Sequence, residues 1–321
     1  MYCRKEDAKV KIHVLIENTT DSDLQCEHGL SLYIEYKGQK ILLDAGSTEV
    51  FADNAKQVGI DLTAVDLAFL SHGHYDHSGG FNAFIGENKS APVYAMESAM
   101  GRYASTSGGV MHEIGVPEAV KEVLKERITA VDKVTQVVEG ITLVPHSTAS
   151  DKLAAIGEKA GLYREAKPQE VSESVGDITC ETAEGIICSK TKQEATWLPD
   201  DFAHEMSVVF ETNAGLVICN SCSHGGVQNI VEEVKNALPG KKIYAYVGGL
   251  HMKGRKDGEE ICIYSEEEVK ALAEYILATG IEVLLTGHCT GEPAIALLER
   301  YLADGQLMRL CTGTVYDLGE V

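Results

Sequence analysis

The stretch "SHGHYDHSGG", residues 71–80, places His72, His74, Asp76 and His77 within six positions, directly after the apolar run "VDLAFL". The whole chain has eleven histidines. Imidazole and carboxylate are ligands for transition metals, and a cluster this dense argues against a polar loop in which histidines are incidental. In an extended segment alternate side chains point the same way, so His72 and His74 can chelate one ion. Asp76 and His77 follow where the chain turns and can face a second ion beside it. Open sites of this kind use His and carboxylate ligands and keep one position for water. Two ions about 3.5–4 Å apart can share a hydroxide nucleophile. Asp76 is therefore the candidate catalytic residue as well as a ligand.

The remaining ligands are sought at strand ends. "LVICNSCS" runs into His224, "IYAYVGGL" into His251 and "EVLLTG" into His288. Ligands in α/β folds bind beyond the carboxyl ends of strands, so ends sharing one edge deliver distant residues to one place. His224 and His288 are expected as metal ligands, and His251 as a neighbouring substrate-facing or supporting group. His204 in "DDFAHEMS" precedes a strand and is open to either reading. His13, His28, His112 and His146 are expected to be solvated or satisfied locally. Cys219 and Cys222 form a C-x-x-C; a zinc ribbon needs a second such pair, so packing is the default. Cys222 is the exception, two residues before His224. Asp44 in "ILLDAG" also ends a strand, either as a turn aspartate or as an acceptor orienting a ligating histidine.

Around this cluster the chain reads as α/β. "VKIHVLIEN" and "LSLYIEYKGQKILLDAG" are strand-like, the second with a hairpin turn at "KGQ". "EVFADNAKQVGI" and "PEAVKEVLKER" have helical periodicity, and "ITLVPH" is a strand. After residue 205 a hairpin, "MSVVFETNAGLVICNS", leads into alternating helices and strands, ending with "LMRLCTGTVYDL" as a final strand. Sheets inside and helices outside accommodate both halves. One domain over residues 1–321 is expected, with an insertion at about 150–200 serving as a lid or an oligomerisation contact.

Lys plus Arg number 28 and Asp plus Glu 49, a formal net charge of −21. That balance disfavours nucleic acid and anionic membranes as partners. A small anionic substrate remains compatible, because bound cations reverse the field locally. Nine irregularly spaced cysteines fit reduced thiols in a cytosol. The N-terminus has charges where a signal peptide needs an apolar core, and no stretch approaches a membrane span, so a cytoplasmic protein is expected.

"LLDAG" and "SHGHYDHSGG" resemble the first two motifs of the metallo-β-lactamase superfamily, the second being its H-x-H-x-D-H signature. "HEMSVVFETNAGLVICNSCSHGG", "VGGLHM" and "LLTGHCTG" resemble the branch of the 7,8-dihydropterin-6-yl-methyl-4-(β-D-ribofuranosyl)aminobenzene 5′-phosphate synthase-like proteins. The resemblance implies a four-layer αββα sandwich with a dinuclear site at one edge. It implies His72 and His74 on the first ion, Asp76 and His77 on the second, and His288 completing the second. The usual third ligand of the first ion falls at about His204. The usual bridging acid falls on "NSCSH", which has no aspartate, so Cys222 or His224 substitutes or the bridge is lost.

The expected function is a metal-dependent hydrolase, or a hydrolase-like synthase, using water activated by one or two divalent transition-metal ions. Zinc is the first choice, with manganese or iron as alternatives. The substrate is expected to be a small anionic or phosphorylated molecule. The glycines of "SHGGVQNI" and "HCTGEPAI" open helices whose free N–H groups suit phosphate. Competing readings are a non-haem iron redox enzyme, weakened because diiron relatives carry glutamate where this chain has His74, and a metal-binding sensor without turnover. Oligomers are possible.

Overall fold

The computed structural model describes residues 8–167, 169–170 and 196–319. Two seven-stranded sheets form its centre. The first runs, in spatial order, Val315–Leu318, Val10–Ile16, Ser31–Tyr36, Gln39–Leu43, Leu67–Phe69, Val93–Met96, Ile128–Val131. The second runs Leu307–Arg309, Val283–Thr286, Ile243–Val247, Leu216–Cys219, Met206–Glu211, Ile141–Pro145, Thr135–Val138.

Strand side chains alternate between two cores, and this alternation sets the layers. Val208 and Phe210 enter the core between the sheets, while Val209 faces the helices outside. Ile41 and Leu43 likewise face the second sheet, and Leu42 faces outward. Both faces are buried, which is why these strands read as continuous apolar runs rather than alternating ones. Helices Val50–Gln57, Phe81–Glu87 and Glu118–Leu124 cover the first sheet through Phe51, Phe84 and Val120. Helices Val227–Ala237, Glu266–Thr279 and Glu292–Glu299 cover the second through Val231, Ile276 and Leu298. The result is the expected αββα sandwich.

Local chemistry fixes the element ends. Lys37 and Gly38 have φ of 47° and 77°, the positive pair that a tight hairpin turn requires. Ser265 Oγ accepts the Glu268 N–H and the Glu268 carboxylate accepts the Ser265 N–H, a reciprocal cap on the longest helix.

Two expectations change. "LMRLCTGTVYDL" is two strands in different sheets, Leu307–Arg309 and Val315–Leu318, because Gly313 at φ 91° turns the chain from one sheet to the other. The segment at 150–200 has more order at its ends than its weak patterning suggests. Helix Ser150–Ala160 and strands Leu162–Glu165 and Trp197–Pro199 join Tyr103–Ser105 and His112–Glu113 in a small third sheet and its flank. The middle of the proposed insertion, residues 171–195, lies outside the described residues. Among the described residues no helix is long and apolar enough to cross a membrane.

Parallel pairing places the site. Gln39–Leu43, Leu67–Phe69 and Val93–Met96 run parallel in the first sheet; Leu216–Cys219, Ile243–Val247 and Val283–Thr286 run parallel in the second. Their carboxyl ends therefore leave each sheet at a common edge, followed by Asp44, His72, Cys222, His251 and His288. The turn carrying the histidines is seated by close backbone approach at its glycines. A Cβ on Gly79 would stand 1.9 Å from the Ser47 carbonyl oxygen, and one on Gly80 would stand 2.1 Å from that of Ala45. Gly79→Ala is expected to lower folding stability by about 1–3 kcal/mol, as overpacking does, whereas Gly86→Ala, with open space around it, leaves it within about 0.5 kcal/mol. Urea denaturation of the two variants separates these outcomes.

Candidate metal centre

The backbone after the strands is bent sharply. Asp44, Ser223, His251 and His288 all have left-handed φ, at 59°, 55°, 48° and 51°. Non-glycine residues avoid this region, at a cost of about 1–3 kcal/mol each, and such residues collect at functional sites.

One buried carboxylate organises the first two ligands. Asp44 Oδ1 accepts the Ser71 N–H at 2.7 Å, and Oδ2 accepts the Ser71 hydroxyl at 2.7 Å. His77 Nδ1 lies 2.8 Å from the same Oδ2 and can only donate to it. Because the Ser71 proton is spent on Asp44, Ser71 Oγ must accept from His72 Nδ1, 2.8 Å away. His288 is fixed the same way by Asn18. The Asn18 amide oxygen accepts the Gly29 N–H and its NH₂ donates to the His288 carbonyl, so its orientation is set. His288 Nδ1, 3.1 Å from that oxygen, must donate. The Nε2 atoms of His72, His77 and His288 are thereby left facing the interior, the tautomer that binds metal.

These atoms crowd one another. His77 Nε2 lies 3.1 Å from His288 Nε2, and His72 Nε2 lies 3.3 Å from His224 Nε2. Lone pairs at such distances repel unless a cation or a proton sits between them. In the chain alone, a proton on His77 serves: burial pulls its pKa down, but Asp76 and Asp44 outweigh burial and hold it up at about 9. His72 and His224 stay neutral, driven well below the ordinary histidine value by burial and then by neighbouring imidazoles. Burial likewise lowers His74 to about 3. Among the described residues His74 Nε2 and His224 Nδ1 are buried without a hydrogen-bond partner. Buried polar atoms are rarely left so, and the donor set, neutral imidazoles with a thiol and a carboxylate, suits a divalent transition metal.

Five overlapping groups of donors result among the described residues. His72, His74 and His224 form one; His72, His77 and Cys222 form the next, with Cys222 Sγ 3.2 Å from His77 Nε2. Cys222, His288 and Cys289, then His28, Asp76 and His288, and lastly His74, Asp200 and His204 form the others. Asp76 Oδ2 lies 3.4 Å from His288 Nε2 and 3.8 Å from His77 Nε2. Burial pushes Asp76 up, but His77, His28 and His288 outweigh it and hold the carboxyl well below its ordinary value.

His204 groups with His74 and Asp200, its ring 5.1 Å from that of His74. Its Nδ1 accepts the Gly73 N–H at 3.0 Å and its Nε2 faces Asp200 Oδ2 at 3.0 Å, so both nitrogens are engaged and the ring braces the turn between His72 and His74. His224 lies beside His72 and His74. His251 packs its ring 4.3 Å from that of His224. Cys219 is buried in the core between the sheets and faces away.

Several participants gave no local signal. Asn18 and Glu17, from the chain's first strand end, reach His288 across about 270 positions. Cys289 places its sulfur 3.4 Å from that of Cys222. His28, expected to be solvated or satisfied locally, is half-exposed and also places Nε2 3.3 Å from Asp76 Oδ2 and stacks on His288. Phe202 stacks on His224 at 5.2 Å. The chain's own carboxylates stand beside both helix starts proposed for phosphate. The N–H groups of His224 and Gly225, just before the helix Val227–Ala237, go to Glu205, and that of Glu292, the first residue of its helix, goes to Glu260.

His146, also expected to be satisfied locally, bridges Glu205 and Glu233 at 2.7 and 2.8 Å, behind His224. Burial opposes its charge, but the two carboxylates outweigh burial and raise it to about 10. Its folded pKa lies above the unfolded value, so its stabilisation is complete below about pH 6.5 and is lost as pH rises through about 10. His146→Ala strands two buried carboxylates and is expected to cost about 3–5 kcal/mol at pH 6, with a smaller deficit at pH 10. Urea midpoints at both pH values check this.

Residues 24–148 match the family model of the metallo-beta-lactamase superfamily. Tm1679, a metal-dependent hydrolase of the beta-lactamase superfamily, has a similar structure, with a TM-score of 0.72 and 22% identity, covering 97% of this chain and 100% of that one. The metallo-beta-lactamase fold protein YhfI from Bacillus subtilis matches with a TM-score of 0.50 and 9% identity, over 96% and 99%. The chain thus has the metallo-β-lactamase fold, and the resemblance to that superfamily read from its motifs is borne out. By sequence it is 27% identical to a 7,8-dihydropterin-6-methyl-4-(beta-D-ribofuranosyl)-aminobenzene-5'-phosphate synthase of Methanocaldococcus jannaschii, over 88% of each chain. An uncharacterized protein of the same organism is 24% identical over 90% of this chain and 94% of its own length.

Proposed function

We propose that this protein is a metal-dependent hydrolase, or hydrolase-like synthase, acting on a small phosphorylated molecule. The observation that carries the reading is the set of inward Nε2 atoms on His72, His77 and His288, each with its tautomer dictated from behind. His72, His74 and His224 would hold one ion. Asp76, His77 and His288 would hold a second, with Cys222, 3.2 Å from His77 Nε2, as a further donor. Divalent ions there supply Lewis-acid chemistry, lowering the pKa of water and polarising the scissile group.

The chain's own residues do the rest. Asp44 keeps His77, and through Ser71 also His72, with Nδ1 as the donor behind and Nε2 turned inward. Asp76 accepts a hydrogen bond from the attacking water and orients it. His28 Nε2, 3.3 Å from Asp76 Oδ2 on an exposed side chain, takes the water's proton out to solvent. His251 and Cys289 line the cavity that opens over Asp76 and His224, about 1060 Å³ in volume, ample for a small substrate. The phosphate named for the Methanocaldococcus jannaschii synthase supports the substrate class.

Metal analysis of protein grown with added zinc is expected to give between one and two ions per chain, and below about one in His72→Ala or His288→Ala. Asp44→Asn keeps the fold but removes the acceptor that sets both tautomers, and is expected to weaken zinc binding about 10–100-fold. Asp76→Asn is expected to abolish turnover in a screen of phosphoesters, thioesters and lactones. Full activity in Asp76→Asn would refute the water-orienting role.

A further inference from the structure

Carboxylates stand at both helix starts beside the histidines, Glu205 on the N–H groups of His224 and Gly225 and Glu260 on that of Glu292, and their charge disfavours a phosphate there, so a phosphate on the substrate needs another seat. The cavity supplies one on its outer wall. The hairpin of Lys253–Lys256 and Glu259–Cys262 lies alongside the turn Ser107–Gly109, and both border the cavity. Away from Asp76, the charged side chains lining it are Lys159, Lys253, Arg255 and Asp257. Three bases to one acid is a reversal in a chain whose acids outnumber its bases 49 to 28.

These cations differ in availability. Lys159 is paired with Glu268 at 2.6 Å, and Lys253 with Glu260 at 2.9 Å. Glu260 in turn accepts the Glu292 N–H at 2.8 Å, which anchors the base of the hairpin. Arg255 is exposed; it stands opposite Glu260 across the hairpin and helps lower that carboxyl's pKa, but makes no contact ion pair among the described residues. Opposite it, Gly108 and Gly109 have φ of 82° and 83° and open space where a Cβ would be, so a ligand can approach their backbone. A planar guanidinium beside a lysine ammonium, facing an unobstructed Ser-Gly-Gly turn, suits the tetrahedral oxygens of a phosphate monoester.

We infer that Arg255 and Lys253, with the Ser107–Gly109 turn, form a phosphate-recognition subsite separate from the histidine cluster. The inference rests on the reading of a phosphorylated substrate. Its ligand is a small molecule with a terminal phosphate joined by a spacer to the reacting group, which lies at Asp76. The subsite sets substrate affinity rather than the chemical step.

The probe is inorganic phosphate, titrated calorimetrically into protein stripped of metal by a chelator, so that metal ions cannot bind it. Wild type is expected to bind saturably, and Arg255→Gln with Lys253→Gln to bind about tenfold or more weakly, the scale of a charge-assisted contact. Asp76→Asn is expected to bind as wild type does. Lys256→Gln, one residue along the same strand and also exposed, controls for net charge. Wild type failing to bind, or Lys256→Gln losing as much as Arg255→Gln, would overturn the subsite. Phosphate binding is measured without turnover, so it stands or falls separately from hydrolysis. Once a phosphorylated substrate is found, Arg255→Gln should raise KM about tenfold with kcat little changed. An unchanged KM would overturn the subsite while leaving the hydrolase reading intact.

Discussion

The buried carboxylate of Asp44 is the contact on which the rest of the centre depends. An ionised carboxylate with no solvent exposure is tolerated only when donors surround it. Here they are the Ser71 amide, the Ser71 hydroxyl and His77 Nδ1. Satisfying this one group fixes the rotor of Ser71, hence the proton on His72, and directly fixes the proton on His77. Asp44 pays in backbone strain, at φ 59°. The strain is shared by Ser223, His251 and His288, which turn inward at the ends of neighbouring strands. Four costly conformations persist only because the sandwich over-determines them through its two-sided packing.

The same logic of carboxylates satisfying backbone and imidazole donors recurs one layer out. Glu205 takes the N–H groups of His224 and Gly225, and with Glu233 it encloses a protonated His146. Asp200 takes His204, which braces Gly73. Acidic residues thus serve as internal anchors for the turns that carry the histidines, and a chain with net charge −21 spends part of that charge inside. The local field at the cavity is set less by the total than by which carboxylates are already engaged. Glu260, tied to Lys253 and a helix start, is the clearest case.

Crowding of imidazoles also separates the candidates chemically. His72, His74 and His224 are held neutral by burial and mutual repulsion, whereas His77 is held protonated by Asp44 and Asp76. The imidazoles of the cluster thus differ in charge according to which carboxylates stand behind them.

Much of this was legible in the sequence. The spacing of His72, His74, Asp76 and His77, and the strand runs ending at Asp44, His224 and His288, depend on local periodicity, which a linear chain carries in full. So does the reading of sheets inside and helices outside. The tertiary structure decided which distant groups meet. Asn18, reaching His288, and His28, reaching Asp76, lie in a segment with no motif of its own. His204 was open to either reading by position, and only its contacts with Gly73 and Asp200 show that both its nitrogens are engaged. The split of residues 307–318 between two sheets, and the placement of Glu205 and Glu260 beside helix starts, are likewise invisible along the chain. The physical reason is that periodicity specifies which face a side chain occupies, whereas a proton's position or a carboxylate's partner is set by atoms brought within about 3 Å by packing of segments hundreds of residues apart.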